Sequence, residues 1–292
     1  MNVAVKPMNP KEQHEEAQEK EGDVVPHIIS LGAGVQSSTM ALMAAAGEIT
    51  PMPVAAIFAE EKAEPAAVYS WLDWLEKQFP FPVYRVLYKA GLTATIERSL
   101  ETGSINGSPP WFTANEKGET VLVSRACTHD FKIHPVQMKV RQLSGAKRGE
   151  KDRAVLWMGI STDEMTRMKA SRYLHYSHRF PLIEQRMNRA ACLAWMANRG
   201  FPEPAKSSCV YCPYHSNAHW RSIKDNDPAG WAEAIRIDAM IRNGVRRNGK
   251  PPMFVHRSLK PLAEVDLTNE KDRGQMSMDF GFINECDGMC GL

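Results

Sequence analysis

Short apolar runs alternate with amphipathic segments through the first half of the chain. The runs at 27–31, 54–58, 82–87 and 154–159 have the length and composition of buried strands. Between them, apolar residues recur at helical spacing, as in the segment that follows Pro65. Strands that alternate with helices predict a doubly wound, mostly parallel α/β sheet, whose ligands bind at the carboxyl ends of the strands.

The pattern changes near residue 188. Asn188 is placed to cap a helix ending near Gly200, and a Pro-rich stretch, a C-x-x-C pair and a helix from Pro228 follow. Residues 1–24 are rich in Glu, Lys and Gln and contain no apolar signal-peptide core. We therefore expect a disordered tail at 1–24, a sheet domain at 25–187 and a helical and irregular extension at 188–292.

Composition narrows the class of protein. The chain has 292 residues, a formal net charge of +2 and 43% hydrophobic residues, and no apolar stretch is long enough for a membrane span. We expect a cytoplasmic protein without membrane contact. In a reducing compartment the six cysteines favour metal or redox chemistry over disulfides.

A glycine- and serine-rich turn follows the first predicted strand. Gly32 and Gly34 would let backbone N–H groups turn inward, and a helix N-terminus behind them would add a positive dipole. Ser37 or Ser38 is placed to cap that helix. The turn predicts a phosphate-binding loop for a nucleotide. Its candidate ligands are Ser30, Gly32, Gly34, Gln36, Ser37 and Ser38.

The cysteines form a second signal. Cys209 and Cys212 have the spacing of a pair that binds one metal, with a redox couple as the alternative. Cys192 lies in a predicted helix beside apolar residues, which indicates a core position. Cys286 and Cys290 lie near the end of the sequence and could act as nucleophile, sulfur carrier or ligand.

Three motifs resemble those of the PP-loop ATP pyrophosphatases, in particular the phosphoadenosine phosphosulfate (PAPS) reductase-like proteins of phages and prophages. Residues 30–38 resemble the loop Ser-Gly-Gly-x-Asp-Ser, with Gln36 where that family has Asp. Residues 127–135 resemble the element Cys-Thr-x-x-Tyr-Lys-Ile-x-Pro. Residues 159–167 resemble a second nucleotide-side motif. The resemblance implies a Rossmann-like adenine nucleotide α-hydrolase domain, the HUP type, with a cysteine-bearing extension.

The resemblance also implies roles for single residues. Gly159, Asp163 and Glu164 would join the nucleotide site, which would take ATP or PAPS, with magnesium as a further candidate cofactor. Lys132 and Arg167 would neutralise charge, and Cys286 would be a catalytic nucleophile. A [4Fe-4S] cluster would be bound by Cys127, Cys209 and Cys212, with Cys290 or Cys286 as fourth ligand, and zinc is the rival metal.

Three functions compete on this basis. One is nucleotide-dependent sulfur or group transfer, in which a nucleic-acid base is adenylated and then modified with a thiol or sulfide donor. Another is reduction of an activated sulfate through the C-terminal thiol. The third is a non-catalytic zinc protein of a phage that binds a host factor. The basic and aromatic segment at 167–179 suits a nucleic-acid partner, and the sequence leaves the oligomeric state open.

Overall fold

The computed structural model describes residues 25–102, 109–246 and 251–268. Its strands are β1 (His27–Ser30), β2 (Ala55–Glu60), β3 (Val83–Leu87), β4 (Phe112–Ala114), β5 (Thr120–Leu122), β6 (Ala154–Met158) and β7 (Tyr176–Arg179). Its α-helices are α1 (Val35–Ala45), α2 (Ala66–Glu76), α3 (Leu92–Thr102), α4 (His134–Ser144), α5 (Pro181–Glu184), α6 (Arg189–Ala197), α7 (Asn217–Asn226) and α8 (Pro228–Arg246). A π-helix spans Thr128–Ile133, and 3₁₀-helices span Thr162–Arg167 and Leu262–Glu264.

Five of these strands form one parallel sheet in the order β3-β2-β1-β6-β7. β1 is central, and the chain crosses from β3 on one side to β6 on the other. The predicted parallel α/β architecture is confirmed, and the fold is Rossmann-like. The sequence analysis missed β7, because its residues belong to the segment assigned there to a basic surface.

The two faces of the sheet bury alternate residues of each strand, as a pleated strand requires. Ile28 and Ile57 pack on one face against α4, whose Val136 and Val140 are buried. Ile29 and Phe58 pack on the other face, against α1, α2 and α6. Helices on both faces explain why the strands are apolar throughout, and they confirm the doubly wound arrangement.

Helix α6 starts as expected, since the Asn188 side chain accepts a hydrogen bond from the Ala191 N–H at 2.7 Å. Its Cys192 is fully buried and shares a core with α1, which confirms the predicted core cysteine. Burial raises the pKa of the Cys192 thiol to about 12, so it stays protonated and unreactive.

A further hydrophobic core lies beyond the carboxyl ends of β1–β3. It joins α3, the π-helix, α7, α8 and the segment 251–268 around large buried side chains. Trp111, Tyr211 and Trp220 are almost completely inaccessible there. Cys127 and Cys209 pack against this core, which therefore fixes two of the predicted metal ligands near the functional edge of the sheet. Among the helices described here, none has both the length and the apolar character needed to cross a bilayer.

Candidate functional site

A cleft of about 610 Å³ opens where β1 and β6 lie side by side. The chain leaves these strands toward opposite sides of the sheet, which is the position where open α/β sheets bind ligands. Most of the predicted nucleotide ligands line the cleft: Ser30, Gly32, Gly34, Gln36, Ser37, Gly159 and Arg167.

The loop after β1 has a different geometry from the one its glycines suggested. Ala33, at φ 56°, holds the left-handed conformation, whereas Gly34 has φ −87°. Gly34 is also the N-cap of α1, so neither Ser37 nor Ser38 caps this helix. The Ser37 hydroxyl instead accepts a hydrogen bond from the Gly32 N–H at 3.1 Å. The first residues of α1 line the cleft without a side-chain cap, which leaves its positive end available for an anion.

Gly159 follows β6 and touches this loop directly. A β-carbon at residue 159 would lie 2.7 Å from Ser37 Cα and 2.8 Å from Ser37 N. Both are backbone atoms and cannot rotate away. The absence of a side chain at 159 therefore sets how closely the two loops of the cleft approach each other.

Ser38 lies away from the cleft. Successive helix residues point about 100° apart at 3.6 residues per turn, so Ser38 faces α2 when Ser37 faces the cleft. Its fully buried hydroxyl accepts a hydrogen bond from Trp71 Nε1 at 3.0 Å. This contact joins α1 to α2, and it gives Ser38 a structural role.

Three cationic side chains line the cleft, of which the sequence analysis identified only Arg167. The other two are Arg189, the first residue of α6, and Lys206, in the Pro-rich stretch. Ser207 lines the cleft beside Lys206. The sequence offered only weak indications of these two residues. Arg189 directly follows the predicted helix cap Asn188, and Lys206 lies three residues before Cys209. Arginine and lysine suit phosphate or sulfate groups.

Asp163 and Glu164, which the resemblance assigned to the nucleotide site, are not among the residues that line the cleft, and both carboxylates already have partners. Glu164 pairs with Arg167 and accepts a hydrogen bond from Gln36 Nε2 at 3.4 Å. Asp163 accepts hydrogen bonds from Ser161 and from the Arg189 backbone N–H. Gln36 Oε1 in turn accepts from the Arg189 guanidinium at 3.2 Å. Gln36 is thus a neutral link between an anion and a cation. Burial raises the pKa of Glu164, against the opposing effect of Arg167.

A second cavity lies beside the cleft and contains the thiols. Cys127, Cys209 and Cys212 all line it, although more than 80 residues of chain separate the first from the second. Lys132 lines this cavity too, and it also lines a small cavity together with Ser30 and Gly32 of the loop after β1. We call this space the thiol cavity.

Local backbone structure orients the three thiols. Cys212 N–H donates to the Cys209 carbonyl at 3.0 Å, which makes a tight turn of the C-x-x-C pair. His215 Nε2 also donates to that carbonyl, at 2.9 Å, and burial holds the pKa of His215 well below its usual value, so this histidine is a neutral structural group. Cys127 is the N-cap of the π-helix, an end whose dipole favours a thiolate.

A buried ion pair lies between the two spaces. Lys132 Nζ is 2.9 Å from Glu61 Oε2 and 3.8 Å from Glu64 Oε1, and all three side chains are at least nine-tenths buried. Cys209 Sγ donates to Glu61 Oε2 at 3.3 Å. Burial and the neighbouring Glu61 raise the pKa of Cys209, while Lys132 opposes that effect. The metal-free thiol is therefore protonated.

The cleft and the thiol cavity are neighbours. A small cavity shares Ser30, Gly32 and Ser207 with the cleft and shares Lys132 with the thiol cavity. Along the chain, Lys206 and Ser207 line the cleft, and Ser208 and Cys209 line the thiol cavity. Four consecutive residues thus connect the two spaces.

The basic and aromatic segment is largely structural. His175 and Tyr176 are buried, and Arg179 pairs with Glu184 and lies over the ring of Trp157. Lys169 and Arg172 remain exposed. The nucleic-acid partner stays a prediction that two exposed cations support. Cys286 and Cys290 lie outside the described residues.

No protein-family model matches the chain, and no curated protein matches its sequence. Among solved structures, it is similar to the phosphoadenylyl-sulfate (PAPS) reductase from Candida auris in a phosphate complex. The identity is 11% and the TM-score 0.41, over 68% of this chain and 82% of the other. A match at this level assigns no residue roles.

Proposed function

We propose that this chain is an enzyme of the PP-loop, PAPS reductase-like type. It would bind an adenine nucleotide in the cleft and carry out sulfur or group transfer at the thiol cavity. The segment 206–209 carries this proposal. Three peptide units reach at most about 11 Å, so the Cα atoms of Lys206 at the cleft and Cys209 at the thiol cavity lie within that distance of each other.

The cleft's own residues would hold the nucleotide. The uncapped start of α1 and the side chains of Arg167, Arg189 and Lys206 would bind its phosphates. Because Asp163 and Glu164 already have partners on each carboxylate oxygen, side-chain cations would neutralise the phosphates in place of a magnesium ion. This favours nucleotide binding that does not require magnesium.

The donor set of the thiol cavity fits a thiolate-bound metal centre. Around zinc, with Zn–S bonds near 2.3 Å, neighbouring sulfurs would be about 3.8 Å apart. Among the described residues, the group of three candidate ligand atoms within 4.8 Å of one another is Glu61, Glu64 and Cys209, and not the three thiols. We propose that the three thiols bind a [4Fe-4S] cluster, with zinc as the rival metal. Such a centre would supply sulfide binding or electrons beside the nucleotide.

Two reactions fit this arrangement. With ATP, an acceptor oxygen attacks the α-phosphorus, pyrophosphate leaves, and a sulfide or thiol donor then displaces AMP. With PAPS, a thiol attacks the sulfonate sulfur and adenosine bisphosphate leaves. The second reaction is favoured, because side-chain cations would neutralise the phosphates of the bound nucleotide without magnesium. A nucleic-acid base as acceptor in the first reaction is supported by Lys169 and Arg172, the exposed cations that follow Arg167.

The test is nucleotide binding to the full chain, purified without oxygen, by calorimetry with ATP and with PAPS, each with magnesium and with EDTA. We expect binding that persists in EDTA and weakens at least about 10-fold in Arg189→Ala, since a charge-assisted phosphate contact contributes about 1.5–3 kcal/mol. Arg199→Ala is the matched control, because Arg199 pairs with Glu48 away from the cleft. Equal affinity in wild type and Arg189→Ala would contradict the proposed phosphate site.

A further inference from the structure

We infer that Glu61 is the fourth protein ligand of the metal centre, in place of a cysteine from the C-terminal tail. This assignment rests on the proposed function, because it concerns the centre bound by Cys127, Cys209 and Cys212. Glu61 lines the thiol cavity together with these three cysteines. The four side chains would form a mixed set of three thiolates and one carboxylate.

The Glu61 backbone is held in place. Glu61 directly follows β2, and its carbonyl accepts a hydrogen bond from the Leu92 N–H at 2.9 Å. Gly91 packs so closely that a β-carbon there would lie 3.0 Å from the Glu61 carbonyl oxygen. The next residue, Lys62, turns the chain sharply at φ 55°. The Glu61 side chain therefore projects from a fixed point at the sheet edge.

The two carboxylate oxygens of Glu61 differ in their partners. Oε2 contacts the Lys132 ammonium at 2.9 Å and accepts from Cys209 Sγ at 3.3 Å. Oε1 is buried and has no hydrogen-bond partner among the described residues. The side chain is 1% exposed, so water cannot readily solvate it. A buried carboxylate oxygen without a partner is costly, and a metal ion bound in the thiol cavity would satisfy it.

Charge also favours a carboxylate ligand here. The proposed site contains three thiolates and one carboxylate, and the ammonium group of Lys132 offsets one of these negative charges. Iron and zinc both accept carboxylate oxygen as a ligand. A carboxylate is a harder and weaker ligand for iron than a thiolate. Glu61 would therefore hold its metal ion less tightly than each of the three cysteines.

The experiment compares metal centres in full-length variants purified anaerobically. Iron and sulfide are quantified, and electron paramagnetic resonance spectra are recorded after mild oxidation. We expect Glu61→Gln to lose the fourth iron and give a three-iron signal several-fold stronger than that of wild type. Glu61→Cys, which restores a ligand, should retain four irons. The double variant Cys286→Ser/Cys290→Ser should match wild type.

Glu64 also pairs with Lys132, and its carboxylate lies within 4.8 Å of the ligand atoms of Glu61 and Cys209, so it is the rival carboxylate ligand. We expect Glu64→Gln to keep the wild-type spectrum, because Glu64 lines the small cavity at Ser30 and Gly32 and not the thiol cavity. Loss of the fourth iron in Glu64→Gln but not in Glu61→Gln would assign the ligand to Glu64 instead. If Glu61→Gln fails to fold, Glu61→Cys and the tail variant still decide between the two kinds of ligand.

Two results would overturn the assignment. One is a Glu61→Gln spectrum and iron content equal to those of wild type. The other is loss of the fourth iron in the tail variant. Either would leave the proposed function intact, provided that wild type holds a metal centre. A wild-type chain without iron or zinc would overturn both proposals.

Discussion

Gly159 shows how one missing side chain determines the geometry of the cleft. In Gly159→Ala, the new β-carbon would overlap the Ser37 backbone, at 2.7 Å from Cα, and push the loop away from β6. We expect a loss of stability of about 1–3 kcal/mol, as for overpacked sites, and at least about 10-fold weaker nucleotide binding. Urea unfolding and calorimetry measure the two effects.

Gly34→Ala is the control for stability. Its β-carbon would meet no atom within 4 Å, and its φ of −87° suits any residue. We therefore expect Gly34→Ala to unfold at the wild-type urea concentration, although its methyl group would enter the cleft. A Gly159→Ala variant with wild-type stability and affinity would show that the two loops can separate without cost.

At the scale of single residues, a local sequence pattern predicts position where it determines the environment, and the ligand roles of the residues placed in this way stay predictions. The glycine and serine turn placed Ser30, Gly32, Gly34 and Ser37 at the cleft because a strand and a helix flank them. The same turn pattern does not place Ser38 at the cleft, because one residue of helical rotation points its side chain toward Trp71 in α2. It could not give the partners of Gln36, because Glu164 and Arg189 come from distant parts of the chain.

At the scale of elements, the segment 251–268 is attached to α7 and α8 by buried polar contacts. His256 Nε2 donates to Asn217 Oδ1 at 3.0 Å, and its Nδ1 accepts from the Ser258 N–H at 3.1 Å. Asp238 in α8 accepts from the backbone N–H groups of Val255 and Leu262. The segment therefore depends on a neutral His256, whose Nδ1 must remain an acceptor.

The hydrogen bonds of His256 predict that the stability of the fold depends on pH. Burial, with a smaller effect of Arg257, lowers the pKa of His256 to about 4. The unfolded chain binds this proton near pH 6.5 and the folded chain only near pH 4. The contribution of His256 to stability is therefore present above pH 6.5 and is lost as the pH falls toward 4. Between pH 7 and pH 4.5 the loss should be on the order of 2 kcal/mol.

Urea unfolding of wild type and His256→Gln at both pH values isolates this contribution. Other buried histidines titrate equally in both proteins, so the difference in pH dependence belongs to His256. We expect the variant to be less stable at pH 7 and to change less with pH. His129→Gln, at an exposed site, should behave as wild type. An unchanged pH dependence in His256→Gln would mean that this imidazole does not hold the segment.

At the scale of the whole molecule, the mostly parallel sheet with helices on both faces could be predicted from alternating apolar runs and helices, whereas the strand order and β7 were not predicted. The meeting of Cys127 with Cys209 and Cys212 could not be derived from spacing, because the intervening chain includes β6, β7 and α6. Only the family resemblance suggested it. Lys206 and Ser207 were missed because their place at the cleft comes from the path of the chain toward the C-x-x-C turn.

That path couples the two sites physically. Residues 206–209 contribute to both, and the Val210 N–H that follows donates to the Ala63 carbonyl at 2.8 Å, which fixes the far end of the segment. A metal bound by Cys209 should therefore order Lys206 and Ser207. Because these residues are then already ordered, nucleotide binding costs less conformational entropy of the protein. Coupling between two sites typically changes affinity about 5- to 150-fold.

We accordingly expect metal-loaded wild type to bind its nucleotide at least about 5-fold more tightly than the metal-depleted chain. Calorimetry on both forms measures this ratio, with circular dichroism to verify that the depleted chain stays folded. Cys209→Ala should bind like the depleted form. Cys192→Ala, which changes a core thiol outside both cavities, should retain the metal and the loaded affinity. Equal nucleotide affinity with and without metal would show that the shared segment is rigid before either ligand binds, and that the two sites act independently.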